Sequence, residues 1–146
     1  MRGFGRLFSF SGRTTRLNYW RIYLASTAAL AVVGCAGFFL ATSFQIGALS
    51  AISLIGAAPI AWIGWARAVR RLHDRNKSGW WLLVFYAPVV AALALKNPWV
   101  SANLSDAALA AVSFAALALL AWGFVELGLL RGTRGPNQYG PDPLAA

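Results

Sequence analysis

Acidic residues are scarce in this chain. Its 146 residues include four acids, Asp74, Asp106, Glu126 and Asp142, against thirteen Lys and Arg. It has one cysteine and one histidine. A single Cys35 excludes an intramolecular disulfide and any multi-cysteine metal site. One histidine and four dispersed acids make no metal-ligand cluster, so neither a metal nor another cofactor is expected. Charge of either sign is short as well. Charged residues are 12% of the chain, about half the share usual in a soluble domain, and apolar residues are 59%. A soluble domain of this size needs polar surface to cover its core, and this composition lacks it. The net charge of +9 would suit a nucleic-acid partner. Here, however, the basic residues stand at the ends of apolar segments, which is a membrane pattern, so no nucleic acid is expected.

What is present is long apolar runs. From Ile22 to Ala66 no residue is charged, a run of 45. One helix crosses the hydrocarbon core with roughly 20 residues, so this run suits two spans with a tight turn near Thr42-Ser43-Phe44-Gln45. Ser78 to Leu95 is a third uncharged run, and Ala107 to Leu130 a fourth, interrupted by Glu126. The expected fold is all-α: a single membrane domain, a polytopic bundle of four transmembrane helices at about 20–42, 46–67, 79–95 and 106–130. A short interfacial N-terminal segment, 1–18, precedes it and a tail, 131–146, follows. Four spans put every basic residue except Lys96 on one side, so the positive-inside bias gives N-in/C-in topology.

Local signals agree. Trp20, Trp80, Trp81 and Trp99 sit near span ends, where amphipathic rings prefer to lie. Ser105-Asp106 can cap the fourth helix. Pro59 and Pro88 fall inside the second and third. Ala107, Ala111 and Ala115 form a small-residue stripe suited to close packing. Phe4, Leu7 and Phe8 share a helical face beside Arg2 and Arg6, as an interfacial segment would. Val32-Val33-Gly34-Cys35 loosely resembles a lipoprotein cleavage box, but the apolar run continues past it, which favours a packing cysteine.

Polar chemistry concentrates between the second and third spans. Arg67, Arg70, Arg71 and Asp74 share one helical face, and Arg70 can pair with Asp74 four residues on. Converging guanidinium groups suit a phosphate or lipid headgroup, but holding the loop in the cytoplasm explains them first. His73-Asp74 invites a general acid–base reading, yet adjacent helical residues point about 100° apart. No Ser, Cys or second carboxylate stands at a distance that completes a site. A structural histidine bonded to a loop carbonyl fits better. Glu126 lies about 6 Å inside the end of the fourth span and needs a partner, with Arg21, Arg67 and Arg70 at similar depth. The tail from Gly132 to Pro143 is turn-rich and not helical.

Three blocks carry a family resemblance. They are Phe10-Ser11-Gly12-Arg13-Thr14-Thr15-Arg16-Leu17-Asn18-Tyr19-Trp20, then Arg70-Arg71-Leu72-His73-Asp74 with Ser78-Gly79-Trp80-Trp81, then Gly135-Pro136-Asn137-Gln138-Tyr139-Gly140-Pro141-Asp142-Pro143. In type and order they resemble the YhaH/YhaI-like small bacterial inner-membrane proteins, catalogued as domain of unknown function 805. Asn18 stands where relatives often carry an acid. The resemblance implies an integral protein of the bacterial inner membrane, multi-pass, and implies no particular activity.

The expected function is a non-enzymatic binding or structural protein. Its basic cytoplasmic face would engage anionic lipid headgroups or a protein partner through Arg13, Arg16, Arg70, Arg71 and Arg75, with His73, Asp74 and Asn137 shaping the site. A small transporter or channel, working as a homo-oligomer around the intramembrane acid Glu126, is the alternative. An enzyme on a phosphorylated lipid, built on His73, is a further one.

Overall fold

The computed structural model describes residues 5–95 and 97–145. Among these the chain is helical, apart from turns and one isolated bridge between Asn137 and Gly140. A single turn, α1 (Gly5–Phe8), leads to α2 (Arg16–Phe44), α3 (Ala48–Asp74), α4 (Trp81–Leu95), the short α5 (Pro98–Ala102) and α6 (Asp106–Phe124). A π-helical turn, Val125–Leu129, extends α6.

The ends of these helices have local causes. The Thr15 hydroxyl accepts from Asn18 N at 3.2 Å and starts α2. Gln45, left-handed at φ 53°, stops it inside the expected turn. The Ser105 hydroxyl accepts from Ala108 N at 3.3 Å at the start of α6. Such caps satisfy N–H groups that a helix start leaves bare. Pro59 and Pro88 lie inside α3 and α4.

Two helices of the described chain are long and apolar enough to cross a membrane: Arg16–Phe44, and α6 with its π turn, Asp106–Leu129. Trp81–Leu95 is a shorter apolar helix. Large apolar side chains face outward along these helices, among them Phe38, Phe39, Leu93 and Phe114, each more than 60% exposed. A water-soluble monomer rarely shows so much continuous apolar surface; hydrocarbon solvates it without cost.

Packing is pairwise. α2 lies against α3, and α4 against α6. The two hairpins meet at one end, where the π turn touches both α2 and α3. The buried apolar cluster sits at that junction: Tyr19, Ala68, Leu72, Leu82, Phe85 and Leu127. Gly128 lets the π turn reach α2, since a Cβ there would stand 2.7 Å from the Trp20 ring.

Several boundaries differ from those the sequence suggests. α3 runs seven residues past the expected span end at 67, so Arg70 to Asp74 is helix rather than loop. Among its described residues the N-terminal segment is helical over Gly5–Phe8, and α2 already begins at Arg16. Between them the chain follows α3: Trp62 Nε1 donates to the Phe8 carbonyl at 3.1 Å, and the Phe10 ring stands edge-on to Trp62. Arg2, Phe4 and Lys96, which figured in the sequence argument, lie outside the described residues.

Candidate functional site

The three sequence blocks meet where the hairpins meet, and the reason begins with backbone chemistry. The last carbonyls of a helix have no intrahelical partner. In an apolar layer each unsatisfied one costs several kcal/mol. At the end of the π turn, five consecutive carbonyls each accept a side-chain N–H. Arg71 Nε donates to Leu127 at 3.0 Å, Trp20 Nε1 to Gly128 at 3.0 Å and Arg16 Nη1 to Leu129 at 3.0 Å. Arg71 Nη2 donates to Leu130, and Arg75 Nη1 to Arg131 at 2.6 Å. Cations also suit this end of a helix because its dipole is negative there. Three arginines and a tryptophan thus cap one helix end.

Asp74 is the hub. Its carboxylate accepts from Arg13 Nε at 3.0 Å and from Arg71 Nη1, and all three side chains are buried. Its backbone carbonyl, at the end of α3, accepts from Thr133 N at 2.8 Å and Thr133 Oγ1 at 3.1 Å. Gly132 lies so close that a Cβ there would fall 2.0 Å from Asp74 Oδ2. Arg13 carries the network into the tail, with Nη2 donating to Thr133 O at 2.6 Å and Nη1 to Gly135 O at 2.6 Å. A planar guanidinium with five donors is the one side chain that can bridge these acceptors at once. Arg70 Nη2 donates to the Arg13 carbonyl at 3.3 Å.

His73 and Asp74 are neighbours that point apart. His73 Nδ1 lies 3.2 Å from the Gly12 carbonyl. A carbonyl only accepts, so Nδ1 carries the proton. The ring stacks on Tyr139, with centroids 3.8 Å apart and planes within 2°. Burial, and after it the nearby Arg70 charge, holds the His73 pKa below its ordinary value, against the opposing pull of the Gly12 bond. The ring is therefore neutral at pH 7. Asn137 Nδ2 donates to the His73 carbonyl and to Thr133 Oγ1, both at 2.9 Å. Asp142 accepts from Leu144 N and Gly135 N, each at 2.9 Å, which holds its carboxyl below the usual range.

Glu126, buried in the π turn, pairs with Arg75 Nε and Lys77 Nζ, each at 3.0 Å. These are not the partners its depth suggests. α3 stays helical through Asp74, so the residues just past its end, rather than Arg21, Arg67 or Arg70, arrive beside the π turn. The Asp74 carboxylate likewise turns to Arg13 and Arg71 instead of Arg70, because the N-terminal segment returns along α3 and delivers Arg13. All eight residues singled out in the sequence, Arg13, Arg16, Arg70, Arg71, His73, Asp74, Arg75 and Asn137, fall in this knot. Thr133, Trp20 and Tyr139 join them and were not singled out as site residues. Thr133 and Trp20 act on backbone carbonyls, which leave no mark in a sequence.

Two hollows adjoin the knot. A recess of about 420 Å³ opens beside the tail, bordered by Arg16, Arg131 and Arg134, all exposed, with Arg71, Asp74 and Asp142 at its base. A larger cleft of about 760 Å³ lies between the two hairpins, mostly apolar, with Arg67, three tyrosines, Ser26 and Thr27 as its polar lining. No cluster of metal-ligating side chains occurs among the described residues.

Residues 7–141 match the family described as proteins of unknown function, DUF805. The chain belongs to that family. It is 34% identical to the uncharacterized protein YiiR of Escherichia coli K12 over 138 residues, covering 93% of this chain and 86% of the relative. It is 30% identical to the inner membrane protein YhaI of the same organism, covering 92% and 85%. To the inner membrane protein YhaH it is 25% identical, covering 92% and 86%. No solved structure matches.

Proposed function

We propose that this is a four-span protein of the bacterial inner membrane with both termini in the cytoplasm, and that it binds anionic lipid headgroups without catalysis. The membrane location is supported by the apolar helices and by the names of YhaI and YhaH. The orientation rests on the positive-inside bias acting on Arg13, Arg16, Arg70, Arg71, Arg75, Lys77, Arg131 and Arg134, which gather at one end of the bundle.

The observation that carries the binding reading is the recess beside the tail. Arg13 and Arg71 are buried and already bonded, so they fasten the fold. Arg16, Arg131 and Arg134 are exposed at its rim, four arginines line it against two aspartates, and Leu17 and Leu144 offer apolar edges. Guanidinium groups recognise phosphate through paired N–H donors. His73 does not line this recess and is turned into the tail, which favours binding over chemistry.

The test is lipid retention, read by native mass spectrometry of the detergent-purified chain offered phosphatidylglycerol or phosphatidylcholine. The wild type retains phosphatidylglycerol preferentially. Replacing Arg16, Arg131 and Arg134 with Gln lowers that preference at least fivefold. An unchanged preference removes the recess from the account.

A further inference from the structure

Among the described residues, Arg67 is the one buried arginine that the knot does not explain. It sits on α3 one turn before Arg71, about 6 Å further from the tail. Its residue exposure is 6%, and its Nε has no hydrogen-bond partner among the described residues. The nearby carboxylates are engaged elsewhere: Asp74 with Arg13 and Arg71, Glu126 with Arg75 and Lys77. The other two acids stand apart, Asp106 at the start of α6 and Asp142 in the tail. A guanidinium cannot escape burial by losing its proton. A buried cation with no counter-charge among the described residues calls for an anion from outside.

The surroundings say which kind. Arg67 lines the cleft between the hairpins together with Tyr19, Tyr23 and Tyr86. Their phenol groups supply donors at the same end. Further along, the cleft wall is mostly apolar, with Leu30, Val89 and Leu117 beside Ser26 and Thr27. Its volume, about 760 Å³, falls in the range of small-molecule sites, which is about 300–1,000 Å³. One polar end with a single positive charge, then an apolar trough running between exposed apolar helices, is complementary to an amphiphile.

We propose that this cleft is a binding site for one anionic phospholipid, its phosphate on Arg67 and an acyl chain along the trough between α2–α3 and α4–α6. The site is separate from the recess at the tail: it uses other residues and lies between the hairpins. Gly64, one turn earlier on the same face of α3, offers an independent handle. A Cβ there meets only Ser26 Oγ at 3.9 Å, and Gly64 lines the cleft, so a larger side chain at this position takes up cleft volume while leaving the Arg67 charge in the chain.

The experiment is native mass spectrometry of the full chain in a neutral detergent, titrated with phosphatidylglycerol, phosphatidylcholine or inorganic phosphate. The wild type holds two phosphatidylglycerols at concentrations where phosphatidylcholine is not held, one at the recess and one in the cleft. Arg67→Gln weakens the cleft association at least tenfold and leaves the recess lipid in place, and Gly64→Leu, which keeps the charge and fills the trough, weakens the cleft association as well. Melting curves taken alongside exclude unfolding as the cause. Unchanged phosphatidylglycerol binding in both variants overturns the proposal. Displacement of the lipid by millimolar inorganic phosphate also overturns it, because the site would then take a soluble anion. Loss on replacing Arg16, Arg131 and Arg134, with Arg67→Gln unchanged, overturns the cleft site and leaves the recess reading standing.

Discussion

Arg71 and Arg67 stand one turn apart on the same helix, both buried, in opposite situations. In the knot, Arg71 bonds a carboxylate and two helix-end carbonyls. In the cleft, Arg67 Nε has no hydrogen-bond partner among the described residues, and Asp74 and Glu126 are paired with other residues. Burial alone therefore does not tell a structural arginine from a binding one. What distinguishes them is whether the chain itself supplies the acceptors. A charge whose partners are internal stabilises the fold; a charge whose partners are missing is retained against stability, and that is a mark of function.

The contrast can be broken most forcefully at the hub. Asp74→Ala leaves two buried guanidinium groups without their carboxylate. Removing one partner of a buried pair costs roughly 3–5 kcal/mol. The variant is expected to melt far below wild type in detergent, or not to accumulate. Gly132→Ala reaches the same point sterically, since its methyl group would collide with the Asp74 carboxylate. A wild-type melting temperature in either variant would show that the knot does not hold the hairpins together.

A smaller effect of opposite sign is expected in the cleft. Arg67→Met replaces a buried unpaired charge with an apolar chain of similar length. In lipid-free detergent it should gain roughly 1–2 kcal/mol. Added phosphatidylglycerol should stabilise the wild type more than it stabilises Arg67→Met, which keeps only the recess site.

The tail contributes less. Tyr139→Ala removes the stack on His73, and an aromatic pair contributes about 0.5–1.5 kcal/mol beyond area burial. Faster proteolysis of the tail, with the helices intact, is the readout. The smallest effect is pH dependence. The folded pKa of His73 is lowered, so below its ordinary value of 6.5 the unfolded chain binds a proton that the folded chain refuses. Stability is full above that pH and declines as pH falls through it. His73→Gln should flatten this slope between pH 7 and 5 in melting experiments.

Much of this architecture is legible in the sequence. The uncharged runs mark the helices, Gln45 falls in the expected turn, and the three polar blocks that carry the family resemblance meet where the hairpins join. Less legible is why the arginines are there. Arg16, Arg71 and Arg75 bond backbone carbonyls, and a carbonyl has no residue identity to read. The π turn that presents those carbonyls is equally silent, because Val125 to Leu129 reads as ordinary helix. It also explains the partners of Glu126, which depth arguments misplace. Arg67 is visible only as one more cation at a span end. Its isolation emerges once Arg13 has claimed Asp74 from the far end of the chain.

The most direct test sets Arg71→Met beside Arg67→Met, with both melting temperatures measured in the same lipid-free detergent. The account predicts opposite signs: a loss of several kcal/mol for Arg71→Met and a gain for Arg67→Met. Destabilisation of similar size in both would contradict it, by showing that Arg67 is held by the fold as Arg71 is.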